Sequence, residues 1–167
     1  WTSPRPVSDA APTVVRNADL AGVASGKIEF LLSTSIRPDS FADESDGNVG
    51  PGQQSLREAV DRAVRRSRIF LEDAVLDLPP GRYLLETPLV FESAGGVARK
   101  MTLRAPVSRP LTTILDGQQK TRILELGAGG RVQAEWLQFQ EGKTDDEGGA
   151  VRQGGLSFEA VHCGFAG

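Results

Sequence analysis

Short apolar segments recur along the second half of this chain at offsets that advance together, and that recurrence restricts the fold more than any other feature. Val132, Ala134, Leu137 and Phe139 are spaced by two, three and two residues, and Leu156, Phe158, Val161 and Cys163 repeat those spacings twenty-four residues later. Ile114 precedes Leu137 by twenty-three, Leu103 precedes Leu126 by twenty-three, and Leu126 precedes Ala150 by twenty-four. Three strand positions per period, all advancing together, describe three short strands wound around one axis. No such coil buries its inward side chains alone, whereas stacking coils at ~4.8 Å aligns apolar columns into a continuous core. The expectation is an all-β fold, a right-handed parallel β-helix with coils of about 23–24 residues. A two-layer sandwich has no reason to advance equally at three positions and ranks second.

A helix precedes this array. Ser55 and Glu58 have the spacing of a capping box, in which each side chain reaches the other residue's backbone amide. Behind them Leu56, Ala59, Val60, Ala63 and Val64 form one apolar stripe, which predicts a helix from Leu56 to about Arg66 that plugs the first coil. Residues 1–27, rich in Ala, Pro and Ser, read as a tail or linker, and 28–167 as the cap and first coils. Ile28–Leu32 is a strand candidate, followed by a long polar loop from Arg37 to Gly52. Further strands are expected at Ala74–Leu78, Tyr83–Leu85, Leu89–Phe91, Met101–Leu103, Thr113–Leu115, Ile123–Leu126, Val132–Phe139, Ala150–Val151 and Leu156–Phe165.

Composition agrees with a turn-rich β-architecture: 19 of the 167 residues are glycine. A net charge of −3 points away from nucleic acid. The Arg62, Arg65, Arg66 and Arg68 cluster reads as the solvated side of the helix. With Cys163 alone, neither an intrachain disulfide nor a cysteine-built zinc site can form. No apolar run approaches the ~18 residues of a membrane span. The chain opens on Trp1 without a signal-peptide pattern, which reads as a processed product.

Gln54-Ser55-Leu56-Arg57-Glu58-Ala59-Val60 resembles the CSLREA-type segment of bacterial surface proteins that carry polymorphic-outer-membrane-protein-like repeats, with Gln54 where that family often has Cys. The steps that follow are similar to that family in order: Leu78-Pro79-Pro80-Gly81-Arg82-Tyr83, Thr113-Ile114-Leu115-Asp116-Gly117, Gly148-Gly149-Ala150-Val151, and Phe158 to Phe165. The resemblance spans roughly residues 30 to 167. It implies a β-helix displayed outside a bacterial cell, at the surface or associated with the outer membrane, in an adhesive or structural role.

A hydrolase on such a scaffold needs converging carboxylates, and a lyase needs Ca²⁺ ligands with a base. Asp116 reads as a turn aspartate bonding local amides. Glu125, Glu135 and Glu159 lie on strands, and the last two are expected to stack on adjacent coils as an outer column. Two acidic loops, Asp39, Asp43, Glu44, Asp46 and Asn48, and Asp145-Asp146-Glu147, are oxygen-rich but lack EF-hand spacing. His162 should face outward between inward Val161 and Cys163, the latter a small buried hydrophobe. Gly127-Ala128-Gly129-Gly130 lacks the Lys-Ser/Thr of a phosphate loop and reads as a tight corner. Trp136 and Gln138 are candidates for an outer binding surface.

No catalytic residue, cofactor or metal ligand is therefore expected. The leading reading is a non-enzymatic extracellular β-helix module, structural or adhesive, meeting a protein or glycan partner. One alternative is a subunit of a larger extracytoplasmic assembly whose partner covers the open end, since the chain stops at Gly167 in mid-repeat. The other is a polysaccharide lyase or glycoside hydrolase on the same scaffold.

Overall fold

In the computed structural model, residues 36–47, 50–70, 72–92, 100–127, 131–145, 148–155 and 157–167 are described. The tail expected over 1–27, the strand expected at 28–32, and Leu156 lie outside them. The described chain holds one helix, α1 (Leu56–Phe70), and eleven short strands. These are β1 (Ala74–Asp77), β2 (Gly81–Leu84), β3 (Leu89–Phe91), β4 (Lys100–Arg104), β5 (Thr113–Asp116) and β6 (Leu124–Leu126), then β7 (Arg131–Glu135), β8 (Leu137–Gln140), β9 (Val151–Gln153), β10 (Ser157–Val161) and β11 (Gly164–Ala166). Each strand pairs with the third one along the chain. The result is three sheets, β1-β4-β7-β10, β2-β5-β8-β11 and β3-β6-β9, and every pairing is parallel. The chain visits the three sheets in strict rotation.

The helix runs past the expected end at Arg66. Nothing in Ser67-Arg68-Ile69-Phe70 breaks it, and the Arg66 guanidinium lies 5.6 Å from the Phe70 ring centroid one turn on. Its stripe of Leu56, Ala59, Val60 and Ala63 is buried, and it packs on β1 and β3, the first strands of two sheets. Ile36 bridges Leu76 and accepts the Asp77 amide at 3.0 Å, so the outer edge of β1 is partly paired as well.

Inward columns run across the sheets. The first sheet contributes Ala74, Met101, Val132 and Phe158, and beside them Leu76, Leu103, Ala134 and Ala160. The second contributes Tyr83, Leu115, Phe139 and Phe165, and the third Leu89 with Leu124 and Phe91 with Leu126. These side chains are buried through β8, at roughly 1.5–3 kcal/mol for each large one. On the last strands burial fades: Phe158 packs partly against the core, Ala160 is exposed and Phe165 is 54% exposed.

The columns differ from those expected. Val132–Phe139 is two strands in two sheets, divided at Trp136, and the Leu156–Phe165 stretch likewise divides at His162-Cys163. Trp136 and His162 both take left-handed backbone, with φ of 62° and 54°, which swings the chain from the first sheet to the second. Their alignment makes the advance twenty-six rather than twenty-four: Val132 pairs with Phe158, Ala134 with Ala160 and Phe139 with Phe165. The two-three-two spacing fits either offset, and the corner decides between them. Val161 therefore faces Glu135 and leaves Leu137's column. Ile114 pairs with Arg82 and Gln138 on the outer side, while Thr113 and Leu115 turn inward, Thr113 beside Leu137. Leu103 and Leu126 belong to different sheets, and Leu126 pairs with Gln153, so neither twenty-three nor twenty-four residues from Leu126 marks a column.

Nor is the period constant. Thr113 to Leu137 advances twenty-four residues, but Leu89 to Leu124 advances thirty-five. The variation sits in the connections. From first sheet to second the chain needs only Trp136 between β7 and β8, yet eight residues, 105–112, between β4 and β5.

Leu115→Asp should prevent folding, because it places a charge in the column of Tyr83 and Phe139, whereas Ile114→Asp should still fold. Circular dichroism melting of the two variants decides it; the reverse order would restore the offset read from sequence.

Candidate functional site

The most elaborate polar constellation surrounds the start of α1. Ser55 and Glu58 form the reciprocal capping box: the Glu58 amide donates to Ser55 Oγ at 3.1 Å and the Ser55 amide to Glu58 Oε2 at 2.9 Å. Both side chains are also used outward. Ser55 Oγ donates to the Glu44 carbonyl at 2.6 Å, and Glu58 Oε1 accepts the Gly47 amide at 2.8 Å. Asp39 accepts the Gly52 and Gln54 amides at 2.7 and 2.8 Å, while the Gln54 carbonyl accepts the Asp39 and Ser40 amides. The loop thus folds back over the helix start through its own carboxylates.

Arg57 extends this network to the sheets. Its Nε and Nη2 grip the Asp43 carboxylate at 2.8 and 2.9 Å, a two-point fork, while Nη1 and Nη2 donate to the Pro88 and Thr87 carbonyls. Asp43 Oδ2 also accepts the Glu86 amide at 2.7 Å. One ion pair therefore clamps three segments: the loop, the helix and the connection between β2 and β3. Every residue from Ser55 to Val60 has a structural task, Ser55 and Glu58 in the cap, Arg57 in the clamp, and Leu56, Ala59 and Val60 in the core.

Three strand carboxylates are held locally. Asp116 is buried, accepts the Gln118 amide at 2.7 Å and pairs with Arg82 on the neighbouring strand. Asp77 pairs with Arg104 at 2.6 Å and Glu125 with Arg152 at 3.4 Å, again across adjacent parallel strands. Glu135 and Glu159 do not stack: Glu159 pairs with Gln133, and Glu135 with Val161, so they occupy different outward columns. Among the described residues no group of three or more His, Cys, Asp or Glu side chains is placed to hold a metal ion. Asn48, Asp146 and Glu147 lie outside the described residues.

His162 is exposed and stacks on Trp136, with ring centroids 4.2 Å apart and planes 18° from parallel. Its neighbour Val161 is an outward residue, not the inward one expected. Cys163 packs on the core, and its burial pushes the thiol pKa up. Gln138 lies in the outer column between Ile114 and Gly164. Gly127 donates to the Phe91 carbonyl at 2.9 Å just past β6; residues 128–130 are outside the described set. The arginine cluster is not uniformly solvated. Arg65 is exposed, but Arg62 is buried, and burial followed by the charge of Arg66 lowers its pKa to about 10. Arg62 lies three residues past Ala59, on the shoulder of the apolar stripe, a position its charge disguised.

Comparison with protein-family models, with curated proteins and with solved structures gives no match. No helix among the described residues is long and apolar enough to cross a membrane.

One functional-looking group escaped the sequence reading. Tyr83, the only tyrosine, is buried in the second sheet, its ring 4.8 Å from that of Phe41 and its hydroxyl donating to the Pro79 carbonyl at 3.4 Å. The close approach of Phe41 is possible because Gly81 lies beneath it: a Cβ there would fall 2.2 Å from the Phe41 ring. Burial raises the Tyr83 pKa well above its ordinary 10.0, against a smaller opposing effect of Arg37. The raised value means that the neutral phenol's stabilising contribution is complete below the unfolded value and declines once pH passes it.

Two measurements check this geometry. The phenolate absorbance of the folded protein should stay flat past pH ~10.5 and rise only with loss of the native dichroism signal; ordinary titration in the folded state would place Tyr83 at the surface. Asp43→Ala should cost about 3 kcal/mol by leaving Arg57 without its partner, and combining it with Arg57→Ala should cost less than the two singles added. Additivity in denaturant melts would show that the clamp is not a coupled unit.

Proposed function

We propose that this chain is a right-handed parallel β-helix, three short strands per coil, closed at its first coil by a capping helix. It would serve as a non-enzymatic structural or adhesive module of a bacterial surface or secreted protein, working outside the cell. The observation that carries the proposal is the rotation of the chain through three all-parallel sheets with α1 packed on the first strands of two of them. Right-handedness follows from the strong preference of parallel crossovers for that hand. The likeness of Gln54 to Val60, and of the ordered steps after it, to CSLREA-type surface proteins supports the cellular setting.

The polar groups favour a binding role over a reaction. Asp77, Asp116 and Glu125 each face an arginine one strand away, so these carboxylates are engaged in holding neighbouring strands together. A scaffold of this kind presents flat outer strand faces and corner loops to a glycan or protein at the surface.

The test is a panel of acidic and neutral polysaccharides incubated with the protein. The expected result is binding to some members with no release of reducing ends or unsaturated products. Turnover of any of them would replace this reading with a carbohydrate-active enzyme on the same scaffold.

A further inference from the structure

A cleft of about 430 Å³ opens where β1 and β4 leave the first sheet, lined among others by Arg37, Asp77, Pro79, Arg104, Pro106 and Val107. Its size is that of a site for a small organic ligand or one to two sugar units. The backbone register builds it. Ile36 bridges Leu76, which brings Arg37 alongside Asp77, and Asp77 pairs with Arg104 in the next strand. Arg104 gives both Nε and Nη2 to a single oxygen, Asp77 Oδ1, at 2.9 and 2.6 Å. Asp77 Oδ2 and Arg104 Nη1 make no hydrogen bond among the described residues. Arg37 is exposed and makes no hydrogen bond or ion pair among them. The floor is apolar, from Leu78, Pro79 and Pro106, and Val107 stands at 62% exposure on its rim.

We propose that this cleft binds a carboxylate-bearing sugar of an acidic oligosaccharide. Arg37 and Arg104 supply donors for the carboxylate, Asp77 Oδ2 accepts a ring hydroxyl, and the prolines and Val107 meet the C–H face of the sugar. Two cations stand against one anion among the lining residues, with Glu135 the next residue of the column beyond Arg104, so the Arg37 guanidinium is what selects an acid over a neutral sugar. The open lining leaves room for the chain to continue on both sides of the bound unit. This inference deepens the adhesive reading and rests on it.

Calorimetric titration of the whole chain with trigalacturonate tests the site, with the fully methyl-esterified trisaccharide as the uncharged counterpart. Saturable binding of the acid is expected, weakened about tenfold or more by Arg37→Gln and by esterification, and unchanged by Arg152→Gln, which removes a charge from a different sheet. Arg37→Gln breaks no hydrogen bond of the fold, so its melting curve should match that of the parent chain. Absence of binding, or equal loss in Arg37→Gln and Arg152→Gln, would overturn the site while leaving the scaffold reading intact. Cleavage of the trisaccharide would overturn the non-enzymatic reading, and the variant comparison would still decide the site.

Discussion

Parallel strand ladders leave two ends, and the first of them governs this structure. Until something covers the inward faces of β1 and β3, the columns that begin with Ala74, Leu76, Leu89 and Phe91 would open onto water. The helix supplies the cover, but fifteen residues with a five-residue apolar stripe would not stay in place by burial alone. The Arg57–Asp43 fork makes the placement specific, because it is satisfied only when the loop, the helix and the β2–β3 connection are all in position. Packing gives the cap its stability and the ion pair gives it one orientation. The later strands of each sheet can then pair against a finished surface.

What could be read in advance was local. The capping box is legible because its partners are three residues apart, and the apolar stripe because helical spacing is intrinsic to the backbone. The rotation through three strand positions was also legible, since short apolar runs set off by Gly and Pro are encoded segment by segment. Register was not. A spacing of two, three and two residues fits an offset of twenty-four or twenty-six equally well, and only the left-handed corners at Trp136 and His162 choose between them. One residue of error at Ile114 was enough to exchange an outer side chain for the inner Leu115. Arg62 and Arg57 were obscure for a different reason: a charged side chain gives no sequence sign of the distant carbonyl, carboxylate or amide that will receive it.

The outer surface follows from the same parallel register. Strands that run side by side in one direction bring residues of neighbouring strands into contact, so opposite charges can pair across the outer face, although Lys100 and Arg131 also stand side by side. Asp77 with Arg104 and Glu125 with Arg152 pair in register, and Arg82 reaches diagonally to Asp116, one ion pair in each of the three sheets. The cleft proposed as a saccharide site arises where one such column gains a second arginine at its beginning. Recognition there would be a by-product of strand pairing, with the ligand's carboxylate meeting the arginine at the outer end of that column.

The corner between the first and second sheets shows how loosely the connections are tied to the ladder. One residue suffices at Trp136 and eight are used at 105–112, yet the strands on either side keep the same register. Each doubling of a connection costs only about 0.6 kcal/mol of closure entropy, which is small beside the burial of a single column residue. Insertions at these corners are therefore nearly neutral for folding. A lineage carrying this chain could replace what it presents at its corners, loop by loop, while selection on the interior stayed unchanged.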